Sequence, residues 1–165
     1  MRAQCGPVLP RADGVARQRA QRSIRAAMEP KIMIQSIDHL VLTCADIEQT
    51  IDFYTRALGM RVETFGEPPK PLRRALRFGD QKLNLHQAGD VNVTDVYAAR
   101  PTPGSVDLCL IAAVPLDEVI ARLAELSVPI ELGPVKRTGA RFPIRSIYLR
   151  DPDRNLIEIA EPWRE

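Results

Sequence analysis

Four side chains of this sequence are suited to binding a divalent metal, and each lies in a segment that is rich in apolar residues or alternates with them. His39 lies within IDHLVL, and Asp107 lies within SVDLCLIA. His86 ends the segment KLNLH, and Glu158 interrupts the segment NLIEIA. Imidazole and carboxylate donors suit Zn²⁺, Mn²⁺, Fe²⁺, Ni²⁺ or Co²⁺. Such a set would supply Lewis-acid chemistry, provided that the fold brings its members together.

The predicted elements occur in the same order twice, and this repeat relates the four residues in pairs. Periodicity predicts a strand, a helix and three strands in residues 34–89 and again in residues 104–161. An offset of 68 residues takes His39 to Asp107, and an offset of 72 takes His86 to Glu158. Two such units can pair their sheets about a pseudo-twofold axis, toward which all four donors would point. We therefore predict one divalent-metal site, in which the short carboxylate of Asp107 is the weakest ligand.

Each of the four residues also has an ordinary structural explanation. A single histidine on a strand is more often a core or surface residue than a ligand. Glu158 alone would be explained by an ion pair with Arg145 or Arg150, and Asp107 alone by backbone hydrogen bonds. Their coincidence under one repeat favours the metal site over these alternatives.

The start and stop signals of both predicted helices are clear. Asp46 is a suitable N-cap for a helix over residues 46–58, and Gly59 is suited to end it. Pro115 opens the second helix, over residues 115–126. The strands around them are predicted over residues 37–42, 60–65, 72–78 and 82–87, and then over 105–112, 128–132, 145–150 and 155–161.

Composition limits the classes of function. Hydrophobic residues make up 45% of the chain and charged residues 27%, but no apolar run is long enough to cross a bilayer. The net charge of +2 divides into +5 for residues 1–31 and −3 for the remainder, which argues against a nucleic-acid surface on the main domain. Three cysteines are too few for a disulfide framework, and Cys44 and Cys109 are predicted to be small core residues.

The chain is predicted to contain one domain, residues 32–165, behind a leader of residues 1–31. The leader is rich in arginine and alanine, and we interpret it as a disordered extension or as sequence before a start at Met28 or Met33. The alternative is a mitochondrial transit peptide. An intracellular, cytoplasmic location is therefore expected, with the mitochondrion as the alternative.

Residues 37–161 resemble the vicinal-oxygen-chelate superfamily and, within it, the glyoxalase domain-containing proteins. The resemblance rests on IDHLVL, on ADI leading to FY and LGM, on FGDQKLNLH, on GPV followed by RTGA, and on RDPDRNLIE. It implies an α+β fold in which two βαβββ modules form an eight-stranded, incomplete, glyoxalase-like barrel around a metal. Ligands in this family come from the first and last strands of each module, which implies His39, His86, Asp107 and Glu158.

The same resemblance implies a metal-dependent lyase or isomerase of the glyoxalase I type, acting on a small oxygen-chelating substrate. Glu158 is then the expected catalytic residue, Arg141 and Arg145 are candidates for binding an anionic substrate, and a homodimer is expected. The alternatives are a metal-free binding module and a degenerate member kept for protein contacts. An extradiol dioxygenase is disfavoured, because those enzymes carry a histidine at the position of Asp107.

Overall fold

Two stretches of chain with the same element order build the fold. The computed structural model describes residues 33–90 and 96–164. The first stretch contains β1 (His39–Cys44), α1 (Ile47–Leu58), β2 (Arg61–Phe65), β3 (Arg73–Phe78) and β4 (Gln81–Gln87). The second contains β5 (Asp107–Ile111), α2 (Leu116–Glu125), β6 (Ile130–Thr138), β7 (Pro143–Arg150) and β8 (Leu156–Pro162). The predicted repeat of two βαβββ modules is confirmed, whereas the predicted leader, residues 1–31, lies outside the described residues.

Each module folds into its own four-stranded sheet. The strand orders are β1-β4-β3-β2 and β5-β8-β7-β6. The first strand of each module runs parallel to the last, and the other neighbours are antiparallel. Within the part of the chain that the structure describes, no strand pairing joins the two sheets. The barrel is therefore incomplete, as predicted.

The two helices begin by different means. The Asp46 carboxylate accepts hydrogen bonds from the backbone N–H groups of Glu48 and Gln49, at 2.9 and 3.2 Å. Pro115, before α2, has no polar side chain, and the Leu116 N–H instead donates to Glu161 Oε2 of β8 at 3.0 Å. The first helix thus supplies its own cap, while the second is capped by a strand of its module.

Strand β6 is longer than the sequence indicated. The prediction ended it at Leu132, before Gly133 and Pro134, whereas the strand continues to Thr138. Two register shifts against β7, between Ile130 and Val135, let it pass the proline. Because proline has no backbone N–H, such an irregularity is the way a paired strand accommodates it.

The core lies on the face of each sheet that the helices cover. It includes Tyr54, Leu76, Leu83, Leu123 and Ile157, all at most 2% exposed. Strand side chains alternate between faces, so every second residue points away from the helices. We call these helix-free faces the open face of the first sheet and the open face of the second sheet. No described helix is both long and apolar enough to cross a membrane.

Candidate functional site

Strand pairing places His39 and Asn84 on the open face of the first sheet. His39 lies opposite Lys82, and Val41 lies opposite Asn84, so these side chains share one face. His39 and Asn84 are diagonal neighbours, offset by two residues across the paired strands β1 and β4. His39 Nδ1 lies 2.7 Å from Asp38 Oδ1. A carboxylate in this position fixes the tautomer and orientation of a histidine ligand.

The open face of the second sheet repeats this arrangement. Asp107 lies opposite Leu156, and Cys109 lies opposite Glu158. Asp107 and Glu158 are therefore diagonal neighbours across β5 and β8, as His39 and Asn84 are across β1 and β4. The strand register thus makes Asn84, rather than His86, the structural counterpart of Glu158.

The register also separates the two histidines. His86 lies opposite Thr43, four residues along β1 from His39. Four residues span about 13 Å of strand, whereas two nitrogens bound to one zinc ion lie within about 4 Å of each other. One chain therefore does not bring its histidines together as predicted, and the ligand role of His86 stays a prediction from sequence. Burial, followed by the positive charge of Arg73, lowers the pKa of His86.

Two buried oxygens occupy matching positions in the two modules. Asn84 Oδ1 and Glu158 Oε1 are buried and accept no hydrogen bond from the described residues. A buried acceptor left without a donor costs about 1–3 kcal/mol, so a cation bound there would be stabilising. The only other such side-chain atoms in the described residues are Arg74 Nε and Ser146 Oγ.

Sequence reasoning missed Asn84, although a signal for it was present. In the segment KLNLH, the alternation of β4 puts Asn84 on the same face as His86. An imidazole is a more common metal ligand than an amide oxygen, so residue type alone favours His86 over Asn84 as the predicted ligand. To choose between Asn84 and His86, one must know which residue of β1 lies opposite each of them, and the sequence of β4 does not contain that information.

Two further side chains border Glu158. Partial desolvation, followed by the neighbouring Glu158 carboxylate, raises the pKa of the Cys109 thiol to about 11. Burial and Glu158 likewise raise the pKa of Tyr148, whose hydroxyl accepts a hydrogen bond from Arg137 Nε at 3.1 Å. Cys109 was predicted to be a core residue, which is wrong, because it is exposed on the open face. Both groups remain protonated at neutral pH beside the carboxylate.

A single chain supplies two pairs of donors on separate sheets. The pairs are His39 with Asn84, and Asp107 with Glu158. Among the described residues, no three His, Cys, Asp or Glu side chains lie close enough to hold a metal ion. Asparagine does not count toward such a group, yet its oxygen is a good ligand for hard cations. Imidazole, amide and carboxylate donors together fit a first-row divalent metal, once the two pairs meet.

The two predicted substrate-binding arginines lie elsewhere. The Arg145 guanidinium donates to Asp117 Oδ1 at 2.7 Å and to Glu161 Oε1 at 3.1 Å. Asp117 belongs to α2, so Arg145 points to the helix-covered face, away from Glu158. Arg141 lies between β6 and β7, with its guanidinium 5.9 Å from the centre of the Phe142 ring. A substrate contact by Arg141 stays a prediction, and Arg145 instead holds α2 against its sheet.

Comparison with known proteins identifies a family. The model of the Glyoxalase/Bleomycin resistance protein/Dioxygenase superfamily matches residues 36–159, which include both modules and all four predicted ligands.

Similar proteins support the same assignment. Virulence protein STM3117 of Salmonella typhimurium is 49% identical over 131 residues, which cover 79% of this chain and 87% of that protein. Glyoxalase domain-containing protein RDO1 of Mycosarcoma maydis is 48% identical over 153 residues, covering 92% of this chain and 78% of that protein. The crystal structure of STM3117 superposes with a TM-score of 0.73, covering 80% of this chain and 100% of that one.

Proposed function

Because the chain belongs to the Glyoxalase/Bleomycin resistance protein/Dioxygenase superfamily, we propose that it is a divalent-metal-dependent lyase or isomerase. Its proposed substrate is a small molecule with two neighbouring oxygens. The observation that carries the proposal is the pair of buried oxygens, Asn84 Oδ1 and Glu158 Oε1, which accept no hydrogen bond from the described residues. They occupy matching positions, and a histidine or a second carboxylate is the diagonal neighbour of each.

The proposal requires a homodimer, because the two donor pairs of one chain lie on separate open faces. His39 and Asn84 of one copy would then meet Asp107 and Glu158 of a second copy. Exposed apolar side chains on these faces support such a pairing. Val41 is 45% exposed, Ile111 is 55% exposed and Leu132, opposite Tyr148, is 49% exposed. Contact between copies would remove this apolar surface from water.

The proposed chemistry divides between the metal and the chain. A bound divalent cation supplies Lewis-acid stabilisation of negative charge that develops on the substrate oxygens. Glu158 is the proposed base, which takes a proton from the carbon next to the carbonyl. Return of that proton to the neighbouring carbon completes an isomerisation, whereas departure of a substituent completes a lyase reaction. Tyr148, protonated beside Glu158, helps to hold the carboxylate in place.

Metal content in single variants tests the ligand set. We expect His39→Ala and Asn84→Ala each to lower metal affinity by about tenfold or more, since each removes one donor. His86→Ala is the matched control, two residues from Asn84 on the same strand, and should leave affinity unchanged. Asp107→Ala should have a smaller effect. Elemental analysis of protein purified without chelators, followed by metal titration, measures all four.

Two results would redirect the proposal. Loss of metal in His86→Ala but not in Asn84→Ala would restore the ligand set predicted from the sequence. Unchanged metal in both His39→Ala and Asn84→Ala would favour the metal-free binding module, because the buried oxygens would then serve another purpose.

Mixing two variants that each lack one metal ligand tests whether the site is shared between two copies of the chain. If donors come from two copies, a dimer of one His39→Ala chain and one Glu158→Ala chain contains one site with both residues intact. Random association makes about half of the dimers mixed, and each mixed dimer keeps one of its two sites. Co-refolding equal amounts of the two variants should therefore restore about a quarter of the bound metal found in wild-type protein. A site within one chain predicts no restoration, since every chain in the mixture lacks a ligand.

A further inference from the structure

The open face of the first sheet carries more positive charge than its acids neutralise. Strand alternation and register place four cations and one carboxylate on this face, beside Asn84. They are Arg61, Glu63, Arg73, Arg77 and Lys82. Such an excess on one sheet face attracts anions to it.

Glu63 forms ion pairs with two of these cations, whereas Arg61 and Arg73 have no acid among the described residues. Glu63 carboxylate oxygens lie 3.1 Å from Arg77 Nη1 and 3.8 Å from Lys82 Nζ. No described carboxylate forms an ion pair with Arg73. Its guanidinium carbon lies 4.7 Å from the centre of the Phe65 ring.

The Phe65 ring has a second cation over it. Lys82 Nζ lies 4.1 Å from the centre of the same ring. Contact with an aromatic ring holds a cation in place without cancelling its charge. Arg73, Phe65 and Lys82 therefore form a fixed cationic platform, in which no described residue accepts a hydrogen bond from the Arg73 guanidinium.

The platform adjoins the proposed site. Arg74 lies opposite Leu85, so the next residue outward, Arg73, falls beside His86. Lys82, Asn84 and His86 follow one another on the same face of β4, about 7 Å apart. Arg73 and Lys82 therefore project from positions on either side of Asn84 on this face, so one small substrate can span the platform and the Asn84 amide.

We propose that this platform binds a carboxylate or phosphate group of the substrate. A guanidinium can donate two parallel hydrogen bonds to either group, which fixes the orientation of the bound molecule. The substrate class is then a small anion that carries two neighbouring oxygens and, a few bonds away, a separate acidic group. This inference rests on the proposed metal site, whose oxygen-binding role it extends with an electrostatic one.

Two metal-binding probes that differ in one carboxylate test the inference. Acetohydroxamic acid carries only the chelating group, whereas succinic acid monohydroxamate adds a carboxylate two carbons away. Calorimetric titration into metal-loaded, full-length protein should give an affinity on the order of tenfold higher for the carboxylate-bearing probe. Arg73→Gln should abolish that advantage and leave acetohydroxamic acid binding unchanged. Arg61→Gln, which removes the same charge from β2 on the same face, should preserve it.

The outcomes separate this inference from the metal proposal. Equal affinities of wild type for the two probes, or an advantage that survives Arg73→Gln, would overturn the platform while leaving the metal site standing. The platform would also be overturned if Arg61→Gln removed the higher affinity of the carboxylate-bearing probe as completely as Arg73→Gln does. The general positive charge of this face would then explain the higher affinity. If neither probe binds in a metal-dependent way, the metal site and this inference both fail.

Discussion

The turns that join the last two strands of each module differ in length and in their contacts. In the second module, residues 151–155 join β7 to β8 and lie against the first module. Asp151 is 3% exposed and accepts hydrogen bonds from the Tyr54 hydroxyl, the Asn155 N–H and the Asn155 amide, at 3.1, 2.8 and 2.8 Å. Asp153 accepts a hydrogen bond from the Ala45 N–H at 3.1 Å. The turn therefore fastens the second module to α1 and to the end of β1.

The corresponding turn of the first module makes no such hydrogen bonds with the described residues of the second. Gly79 and Asp80 alone join β3 to β4, and both are exposed. Beside this turn lies a cavity of about 760 Å³, lined mainly by the end of α1, the β3–β4 turn, the end of β5 and α2. Leu123 occupies the same position in α2 that Tyr54 occupies in α1, counted from the first residue of each helix. A leucine has no hydroxyl, so it cannot donate a hydrogen bond to this turn as Tyr54 does to Asp151.

This difference separates two roles of the repeat. The strands keep their symmetry, and with it the matching positions of the donor pairs. The turns have lost theirs, so one turn holds the modules together while the other leaves a cavity. The DPDRN segment therefore has a structural role, whereas Glu158, three residues later, faces the open side of its sheet.

Asp151→Ala should have the largest effect on stability. The substitution leaves the Tyr54 hydroxyl and the Asn155 amide buried without their acceptor, so the free energy of unfolding should fall by roughly 3 kcal/mol. Asp80→Ala, at the other turn, should change it by no more than about 0.5 kcal/mol. Urea unfolding of both variants measures the difference. Equal losses would mean that the turns contribute alike and that the asymmetry has no energetic consequence.

Glycines beside the two turns offer a second comparison. A Cβ on Gly104 (φ 76°) would lie 2.5 Å from the Asp153 carbonyl oxygen, whereas a Cβ on Gly79 (φ 48°) would have no atom within 4 Å. Both alanine variants strain the backbone, by about 1 kcal/mol. Gly104→Ala should cost about 1 kcal/mol more, because the Asp153 backbone must also move. Similar unfolding midpoints for the two would argue against a tightly seated second turn.

Removal of one hydroxyl sharpens the account of the module contact. Tyr54→Phe keeps the packing of a fully buried ring and deletes only its hydrogen bond to Asp151. The expected loss is about 1 kcal/mol in the free energy of unfolding. In the Asp151→Ala background, the same substitution should cost little, since the partner is already absent. A full additional loss there would show that the hydroxyl and the carboxylate are not coupled.

The helix caps should give the smallest, pH-dependent effect. Hydrogen bonds from the Gln49 and Leu116 N–H groups are the main causes that lower the pKa of Asp46 and of Glu161, respectively. A carboxyl whose pKa is lowered by folding stabilises the folded protein at pH values above its ordinary pKa, which is 3.8 for Asp46 and 4.5 for Glu161. This stabilisation is lost as the pH falls through the lowered pKa of the folded state. Asp46→Ala and Glu161→Ala should therefore lower the thermal midpoint at pH 7 and have less effect in acid. Midpoints measured by circular dichroism across this range check the sign.

Local sequence determined the elements and the types of donor. The Asp46 cap, the glycine after α1 and the alternation around His39 and Glu158 all act within a few residues. They predicted both helices and the module repeat, and they placed His39, Asp107 and Glu158 on strands. Residues 1–31, for which a disordered leader was predicted, lie outside the described part of the chain.

Tertiary structure decided which residues face one another. The ion pairs of Arg145 and the match of Asn84 with Glu158 depend on how distant segments pair, and the register of that pairing depends on turn length. The offset of 72 residues aligned His86 with Glu158. Because the turn after β7 is longer than the turn after β3, the strand pairing instead makes Asn84, two residues earlier, the counterpart of Glu158. A shift of two residues keeps a side chain on the same face. The alternation read from the sequence was therefore right, while the partner across the strand was fixed only by hydrogen bonds between distant segments.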